Sequence, residues 1–183
     1  GLTTLTATAS LLLLFLLITL QIRCAFNGPV IDISSREVPA ARIAERATYP
    51  LAWLLLGFSL MVCARKGRFQ GMWLAGQLFA GAGTVCVVIV SILAFNPLSI
   101  DESVGAVPVF NCLLYAYGAP ALVAAILGVW LFHTADPGPA GDSDRVIARA
   151  HGIAALLFLF FLVSLEVRQA FHGPDLHAVT RPS

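Results

Sequence analysis

The residues that could do chemistry in this chain of 183 residues are few, and they lie at the edges of long apolar runs. Glu166 ends one such run, about 26 Å along a helix from Arg149. An ionisable group beside so long an uncharged run is a candidate for ion or proton handling, whereas a carboxylate paired with an arginine at a membrane surface is the commoner arrangement. Arg168 is two residues away and cannot face Glu166 on one helix, so Arg23 or Arg46 is the expected partner.

A second group of polar residues accompanies a helix-breaking segment. Asn111, Tyr115 and Tyr117 precede or adjoin the break at 118–120, which contains a glycine and a proline. A broken helix with polar side chains can line a cavity or a substrate path. The alternative is that Asn111 caps a helix start while the tyrosines join an interfacial aromatic belt. Gln77, in another apolar run, is expected to hydrogen-bond across a helix interface.

The cysteines and histidines show no spacing typical of a metal or redox site. They are Cys24, Cys63, Cys86 and Cys112, and His133, His151, His172 and His177. The sequence also has no glycine-rich phosphate loop, no Ser/His/Asp set and no pair of catalytic carboxylates. We therefore expect no metal and no cofactor, and no motif favours an enzyme.

Composition determines the environment in which these residues must work. Hydrophobic residues make up 58% of the chain and charged residues 11%, with a mean hydropathy of +0.87 and a net charge of +1. A soluble domain is about 25% charged, so this composition excludes a water-soluble monomer, a disordered chain and a nucleic-acid binder. It predicts an integral membrane protein whose first partner is the lipid bilayer.

The positions of the charges predict five transmembrane spans. Charged residues are absent from 1–22, 47–64, 69–100, 103–135 and 150–165. Each stretch holds one apolar run long enough, or nearly so, for the roughly 20 residues that a spanning helix needs. The predicted spans are 4–22, 49–64, 72–95, 109–132 and 146–168. The expected fold is an all-α polytopic transmembrane helix bundle, because lipid cannot satisfy open backbone polar groups.

Several local signals refine this bundle. Asn96-Pro97 is expected to end the third helix, with a loop over 99–108, and Pro120 to kink the fourth helix. The segment VPAARIAERATYP, before the second span, is expected to form a short helix that either lies at the membrane interface or is solvated in the loop. Small residues at four-residue spacing predict close helix packing, namely Gly76, Ala80 and Thr84 in the third span and Ala121 and Ala125 in the fourth.

The arginines and lysines suggest an orientation. One side of the membrane, side A, carries Arg65, Lys66, Arg68, Arg145 and Arg149; the other, side B, carries Arg23, Arg36, Arg42, Arg46, Arg168 and Arg181. The totals are nearly equal, but the very short loop ARKGRFQ concentrates three basic residues. Short basic loops count most in the positive-inside rule, so loops 65–71 and 133–145 are predicted to be cytoplasmic.

One stretch of sequence occurs twice. LLITLQIRCAFNGP, which ends at Pro29, returns as FLVSLEVRQAFHGP, which ends at Pro174, at an offset of 145 residues (168 − 23 and 174 − 29). A possible repeat unit covers 11–155, with the next copy beginning near 156. One period contains four spans, and because four is even, successive units keep the same orientation.

The shared motif Arg-x-Ala-Phe-x-Gly-Pro has a structural explanation. Glycine takes the left-handed conformation that ends a helix, proline prevents continuation, and arginine in the last turn favours the negative end of the helix dipole. The arginine can also reach the headgroups, and the phenylalanine closes the hydrophobic edge of the cap. The predicted helix-stop residues are Phe26, Gly28 and Pro29 in the first copy and Phe171, Gly173 and Pro174 in the second.

Four stretches together resemble the bacterial family of predicted membrane proteins called domain of unknown function 2339. They are ERATYPLAWLLLGFSL, FNPLSIDESVGAVPVFNCLLYAYGAPAL and the two helix ends just described. The resemblance covers most of 11–176, and its most specific part is the stretch around Asn96-Pro97, Gly105, Asn111 and 117–120. It implies a carboxy-proximal piece of a longer polytopic protein, whose further transmembrane helices would be partners. It implies no activity.

Three functions follow from these features as alternatives. The first is a structural or interaction component of the bacterial inner membrane, favoured by the lack of charge within the spans. The second is a transporter or channel for a small solute, motivated by the broken fourth helix and Glu166. A polar path through Gln77, Asn111 and Tyr115 would favour it. The third is the membrane-embedded part of an envelope lipid or glycan enzyme, which would need clustered acidic or histidine residues at one interface.

Overall fold

Five long helices make up the computed structural model, which describes residues 2–28, 39–67, 70–98, 104, 111–173 and 176. They are α1 (Leu2–Asn27), α2 (Pro39–Gly67), α3 (Gln70–Cys86), α4 (Ala119–Thr134) and α5 (Pro139–His172). A π-helical segment, Val87–Ala94, continues α3, and a π-helical turn, Leu114–Gly118, leads into α4. Within the described residues there is no strand.

The described residues contain five helical spans long and apolar enough to cross a membrane, where the third span combines α3 with the π-helical segment after it and the fourth combines the π-helical turn with α4. The all-α, five-span fold predicted from the charge-free stretches is therefore confirmed. Large apolar side chains point outward along every helix; Leu13, Leu78 and Leu156, for example, are about two-thirds exposed. Such a surface is stable only in a lipid solvent, which is why the protein is a membrane protein.

The helix α2 differs from its predicted form. The segment expected to be a separate short helix is instead the first part of α2, which runs without interruption through Pro50 to the end of the second span. A proline inside a transmembrane helix is tolerated because neighbouring helices and polar side chains can compensate for the lost backbone hydrogen bond. The opening of α2 is therefore continuous with a membrane span.

Glycines bring α2 and α3 into backbone contact. A Cβ placed on Gly57 would lie 2.6 Å from the carbonyl oxygen of Gly76, and one placed on Gly83 would lie 2.8 Å from that of Pro50. The predicted small-residue stripe of α3 thus packs on α2, and Ala80 of that stripe is fully buried. Close approach of this kind drives helix association in lipid, where the hydrophobic effect between helices is absent.

The ends of the third and fourth spans are irregular. The third span ends at Ala94, where the N–H of Phe95 donates to the carbonyl of Val90, and the side chain of Asn96 accepts the N–H of Leu98. In the fourth span the predicted break takes the form of the π-helical turn, and Pro120 lies in the first turn of the regular helix that follows. Proline is well placed there, because its missing N–H would have no partner within α4. Of the predicted loop 99–108, only Val104 lies within the described residues.

The helices form two antiparallel pairs, α2–α3 and α4–α5, with α1 on the outside against α2. Gly128 of α4 lets α5 approach, since a Cβ there would lie 2.9 Å from the carbonyl oxygen of Ala148. The larger core cluster includes Leu113, Tyr117 and Phe158, all essentially inaccessible. The smaller cluster, around Met61 and Leu127, lies nearer side A.

Candidate functional site

A polar cluster joins four helices at the side A end of the bundle. The guanidinium of Arg65 lies 3.3 Å from a carboxylate oxygen of Asp144, and it also donates to the backbone carbonyl of Thr134. The side-chain amide of Gln77 donates to the other carboxylate oxygen at 3.2 Å. The two charged side chains are 26% and 14% exposed, so the pair is mostly shielded from solvent. We call Arg65, Gln77 and Asp144 the side A cluster.

Two tryptophans complete the surroundings of Arg65. Its guanidinium lies 4.8 Å from the ring centre of Trp73 and 5.5 Å from that of Trp130. A planar cation stacks favourably on such rings, more so where water is excluded. Sequence analysis predicted hydrogen bonding for Gln77 but missed Asp144. Asp144 lies in the second turn of α5, where the sequence still reads as polar.

A buried histidine lies between the two ends of the bundle. His151 of α5 is 4% exposed, and its Nδ1 is 3.2 Å from the hydroxyl of Thr84 on α3. The Thr84 hydroxyl donates its single proton to the carbonyl of Ala80 at 2.9 Å. With its proton used in this way, the Thr84 hydroxyl has lone pairs free to accept from an N–H at Nδ1 of His151. Sequence analysis found no role for this histidine, because its partner is 67 residues away.

Tyr117 lies in the core and not in the interfacial belt predicted as one alternative. It is 1% exposed, its ring stacks on Phe161 with 6.4 Å between ring centres, and its hydroxyl donates to the carbonyl of Ser91. Ser91 belongs to the π-helical segment after α3. The tyrosine thus joins the two π-helical segments to each other and to α5.

Asn111 connects the start of the fourth span to the end of α5. Its side-chain oxygen accepts the N–H groups of Leu113 and Leu114 at 2.8 and 3.2 Å, which is the capping role weighed above. Its amide nitrogen donates to Glu166 at 2.9 Å and to Gln169 at 2.6 Å. Glu166 thus accepts a hydrogen bond from this asparagine, a contact that the sequence did not predict, and its expected pairing with Arg23 or Arg46 stays a prediction. Gln169, which sequence analysis missed, is 3% exposed.

The remaining candidates also make local contacts near side B. The hydroxyl of Tyr115 lies 2.9 Å from that of Thr48, and Arg168 donates twice to the backbone carbonyl of Leu176, at 3.2 and 3.0 Å. Arg23 is half-buried, and its carbonyl accepts the side chain of Asn27, which also donates to Glu45 at 2.9 Å. Asn27 thereby ties the end of α1 to α2.

These positions do not bring Gln77, Asn111 and Tyr115 together. The partners of the first two, Asp144 and Glu166, are 22 residues apart on α5, which is about 33 Å along the helix. This length is comparable with the thickness of a bilayer core. The large core cluster fills much of the space between them.

The two glycines of the repeated motif end their helices in the same way. Gly28 has φ +76° and its N–H donates to the carbonyl of Cys24 at 2.9 Å; Gly173 has φ +81° and donates to Gln169 at 2.8 Å. Both φ values lie in the left-handed region that glycine tolerates best. Phe26 and Phe171 are exposed. Pro29 and Pro174 lie outside the described residues.

An open apolar groove of about 560 Å³ runs between α4 and α5 on the outer surface. Small residues form its floor, among them Ala121, Ala125 and Gly152, and Arg149 lies at one end. The described part of the chain holds no group of three or more side chains suited to a metal ion.

Comparison with known proteins gives one family. The family model described as "Predicted membrane protein (DUF2339)" matches residues 75–181. The match begins within α3 and includes both Asn111 and Glu166. No curated protein and no solved structure matches the chain.

Proposed function

The chain belongs to the DUF2339 family of predicted membrane proteins, and on that premise we propose that it is a structural and interaction unit of the bacterial inner membrane. In this role its polar side chains hold helices together and do not carry a solute. Further transmembrane helices, including those of a longer chain, would be its partners.

The observation that carries this proposal is that the polar side chains form hydrogen bonds and an ion pair between helices. The side A cluster joins α2, α3, α4 and α5, and Asn111 joins the fourth span to Glu166 on α5. Buried polar groups that pair across helices stabilise and specify packing in lipid. A conducting path would need such groups to follow one another across the membrane. Here the side A cluster and the Asn111 contacts lie at opposite ends. Among the described residues between them, the Thr84–His151 and Tyr117–Ser91 hydrogen bonds are set among buried apolar side chains such as Phe158.

The orientation belongs to the same proposal. Loops 65–71 and 133–145 would face the cytoplasm, because the short loop after α2 concentrates basic residues. Arg65 is partly neutralised by Asp144, but the rule depends on basic residues and not on net charge. A cysteine at position 67 that reacts with an impermeant thiol reagent only in inside-out vesicles would support this orientation.

Thiol accessibility tests the structural role. In a chain without its native cysteines, Thr84→Cys and Ser91→Cys place thiols at a half-buried and a buried position of the third span. We expect neither to react with a charged, water-soluble thiosulfonate added to both sides, since no water should reach them. Asp142→Cys, whose parent side chain is 70% exposed, is the reactive control. Labelling of all three after denaturation verifies that the thiols are present, and reaction of both third-span thiols in the native protein would contradict the proposal.

A transporter for a small solute is the second candidate, and His151 is the observation that favours it. A buried ionisable residue inside a membrane is often part of an ion pathway. This alternative predicts solute or proton flux in proteoliposomes, lost in His151→Gln without loss of folding. Flux no greater than in empty liposomes would leave the structural role as the better account.

A further inference from the structure

Two equivalent helices of the chain, α1 and α5, can be compared position by position at the offset of 145 residues. The face of α1 that packs inward is formed by residues at helical spacing, namely Leu11, Phe15, Ile18, Thr19 and Ile22. Phe15 is its centre: the ring lies 5.2 Å from that of Trp53 on α2 and 5.9 Å from that of Phe79 on α3. An aromatic wedge therefore seats α1 on the α2–α3 pair.

The same face exists on α5 but is exposed there. Its residues are Leu156, Phe160, Val163, Ser164 and Val167, each identical to its counterpart in α1 or a conservative replacement, and all five are exposed. Phe160, the counterpart of Phe15, is 66% exposed. Even the local hydrogen bond recurs, because Ser164 donates to the carbonyl of Phe160, and Thr19 to that of Phe15, both at 2.8 Å. We call these five residues the outer face of α5.

The opposite faces of the two helices show the reverse relation. Phe158, Leu162 and Leu165 are buried where α5 packs within the bundle. Their counterparts in α1, which are Leu13, Leu17 and Leu20, are 66%, 54% and 50% exposed. One helix type thus buries one face in α1 and the other face in α5. The face that α5 exposes is equivalent to the face of α1 that packs on α2 and α3. The face that α1 exposes is equivalent to the face of α5 that packs within the bundle.

Exposure in lipid does not by itself mark an interface, because lipid-facing side chains are apolar in any membrane protein. What distinguishes the outer face of α5 is its equivalence to the face of α1 that contacts the α2–α3 pair. The directions also agree: three spans lie between α1 and α5, so α5 crosses the membrane in the same sense as α1.

We propose that the outer face of α5 is the docking site for an α2–α3 pair of the same kind as that on which α1 packs, belonging to a following four-helix unit of the same design. One helix would then serve two units, closing the first with its inner face and opening the next with its outer face. The partner is defined by its chemistry: two antiparallel helices that present a tryptophan and a phenylalanine to Phe160. The inference rests on the proposed structural role and names the partner of that role.

A helix exchange within the full chain tests the fit. Residues 11–29 are replaced by residues 156–174, which keeps the length and register, in a chain without native cysteines. Cysteines at positions 15 and 53 are then joined with a short bis-thiol reagent. We expect the exchanged chain to cross-link as efficiently as the unexchanged chain. A cysteine at position 13, the counterpart of buried Phe158, is the matched control and should not cross-link to position 53.

A fold reporter keeps the outcome decisive. Phe58→Cys and Trp130→Cys lie across α2 and α4, where the parent rings are 5.5 Å apart, and should cross-link in every folded variant. If this reporter forms and position 15 of the exchanged chain does not cross-link, or position 13 does so equally, the outer face does not fit an α2–α3 pair and the proposal is overturned.

A tandem chain tests the array itself. Residues 1–174 are followed directly by a second copy of residues 30–183, so that α5 of the first unit also opens the second. Phe160→Cys in the first unit should cross-link to Trp53→Cys in the second as efficiently as Phe15→Cys does to Trp53→Cys within the first. Absence of this cross-link would refute the docking. It would leave the structural role intact as long as the thiols at positions 84 and 91 remain protected.

Discussion

The guanidinium of Arg65, near the end of α2, and the carboxylate of Asp144, in the second turn of α5, form an ion pair with 3.3 Å between nitrogen and oxygen. Their helices are separated by 79 residues of sequence at this point. Gln77 and the carbonyl of Thr134 bring α3 and α4 into the same contact. This pair thus holds the side A ends of four helices together, and we expect its removal to destabilise the whole bundle.

Asp144→Asn should destabilise the protein by about 1–3 kcal/mol, because it leaves a mostly shielded arginine without its counter-charge. The unfolding free energy in mixed micelles, followed by tryptophan fluorescence, measures this loss. Asp142→Asn is the matched control. Asp142 pairs with Arg145 at 2.9 Å, but both side chains are exposed, so the change should cost no more than about 0.5 kcal/mol. Equal effects of the two substitutions would contradict the assigned role of the Arg65 pair.

Gly57→Ala should destabilise the protein by about 1–3 kcal/mol, since the added methyl group would meet the backbone of α3 and force the helices apart. Gly81→Ala, on the same helix pair, has nothing within 4 Å of the new Cβ. It should be neutral or stabilising by up to about 1 kcal/mol through helix propensity. Thermal unfolding in detergent compares the two, and a neutral Gly57→Ala would show that α2 and α3 do not approach closely there.

Glu166→Gln keeps a side-chain oxygen that accepts the hydrogen bond from Asn111, so this contact should survive the substitution. Asn111→Asp keeps the side-chain oxygen that caps the helix. It replaces the donating amide with a carboxylate oxygen, which can only accept, opposite the acceptor oxygens of Glu166 and Gln169. It should cost about 1–3 kcal/mol, and Glu166→Gln should restore part of that loss in the double variant. The double-mutant cycle in mixed micelles measures the coupling. Zero coupling would mean that Asn111 and Glu166 do not interact.

Tyr117→Phe should cost about 1–2 kcal/mol, because the buried carbonyl of Ser91 loses its donor. Tyr115→Phe is the control of the same chemistry. Its hydroxyl contacts Thr48 at an exposed position, so its loss should cost about 0.5 kcal/mol. Unfolding in mixed micelles ranks the two variants, and the reverse order would place the buried tyrosine at position 115.

Much of the fold could be predicted from local sequence. Uncharged apolar runs of spanning length identify helices, because a backbone in lipid must satisfy its own hydrogen bonds and a helix does so without neighbours. The glycines at positions 28 and 173 could likewise be placed at helix ends, since the left-handed conformation is a property of the residue itself. The continuous α2 could not, because Pro50 and the charged opening of that helix argue locally for a break.

The polar contacts needed the tertiary structure. Asn111 donates to Glu166 across 55 residues of sequence, and Asp144 and His151 acquired roles only through residues 67 or more positions away. Such pairings depend on how each helix is rotated about its axis. The helices α1 and α5 also show this dependence. Their sequences are similar over 11–29 and 156–174, but each buries the face that the other exposes. When a helix is apolar on all sides, its own sequence gives little indication of which side faces the neighbouring helices in lipid. The sequence therefore determined that both helices cross the membrane, and the neighbouring helices decided which face each one buries.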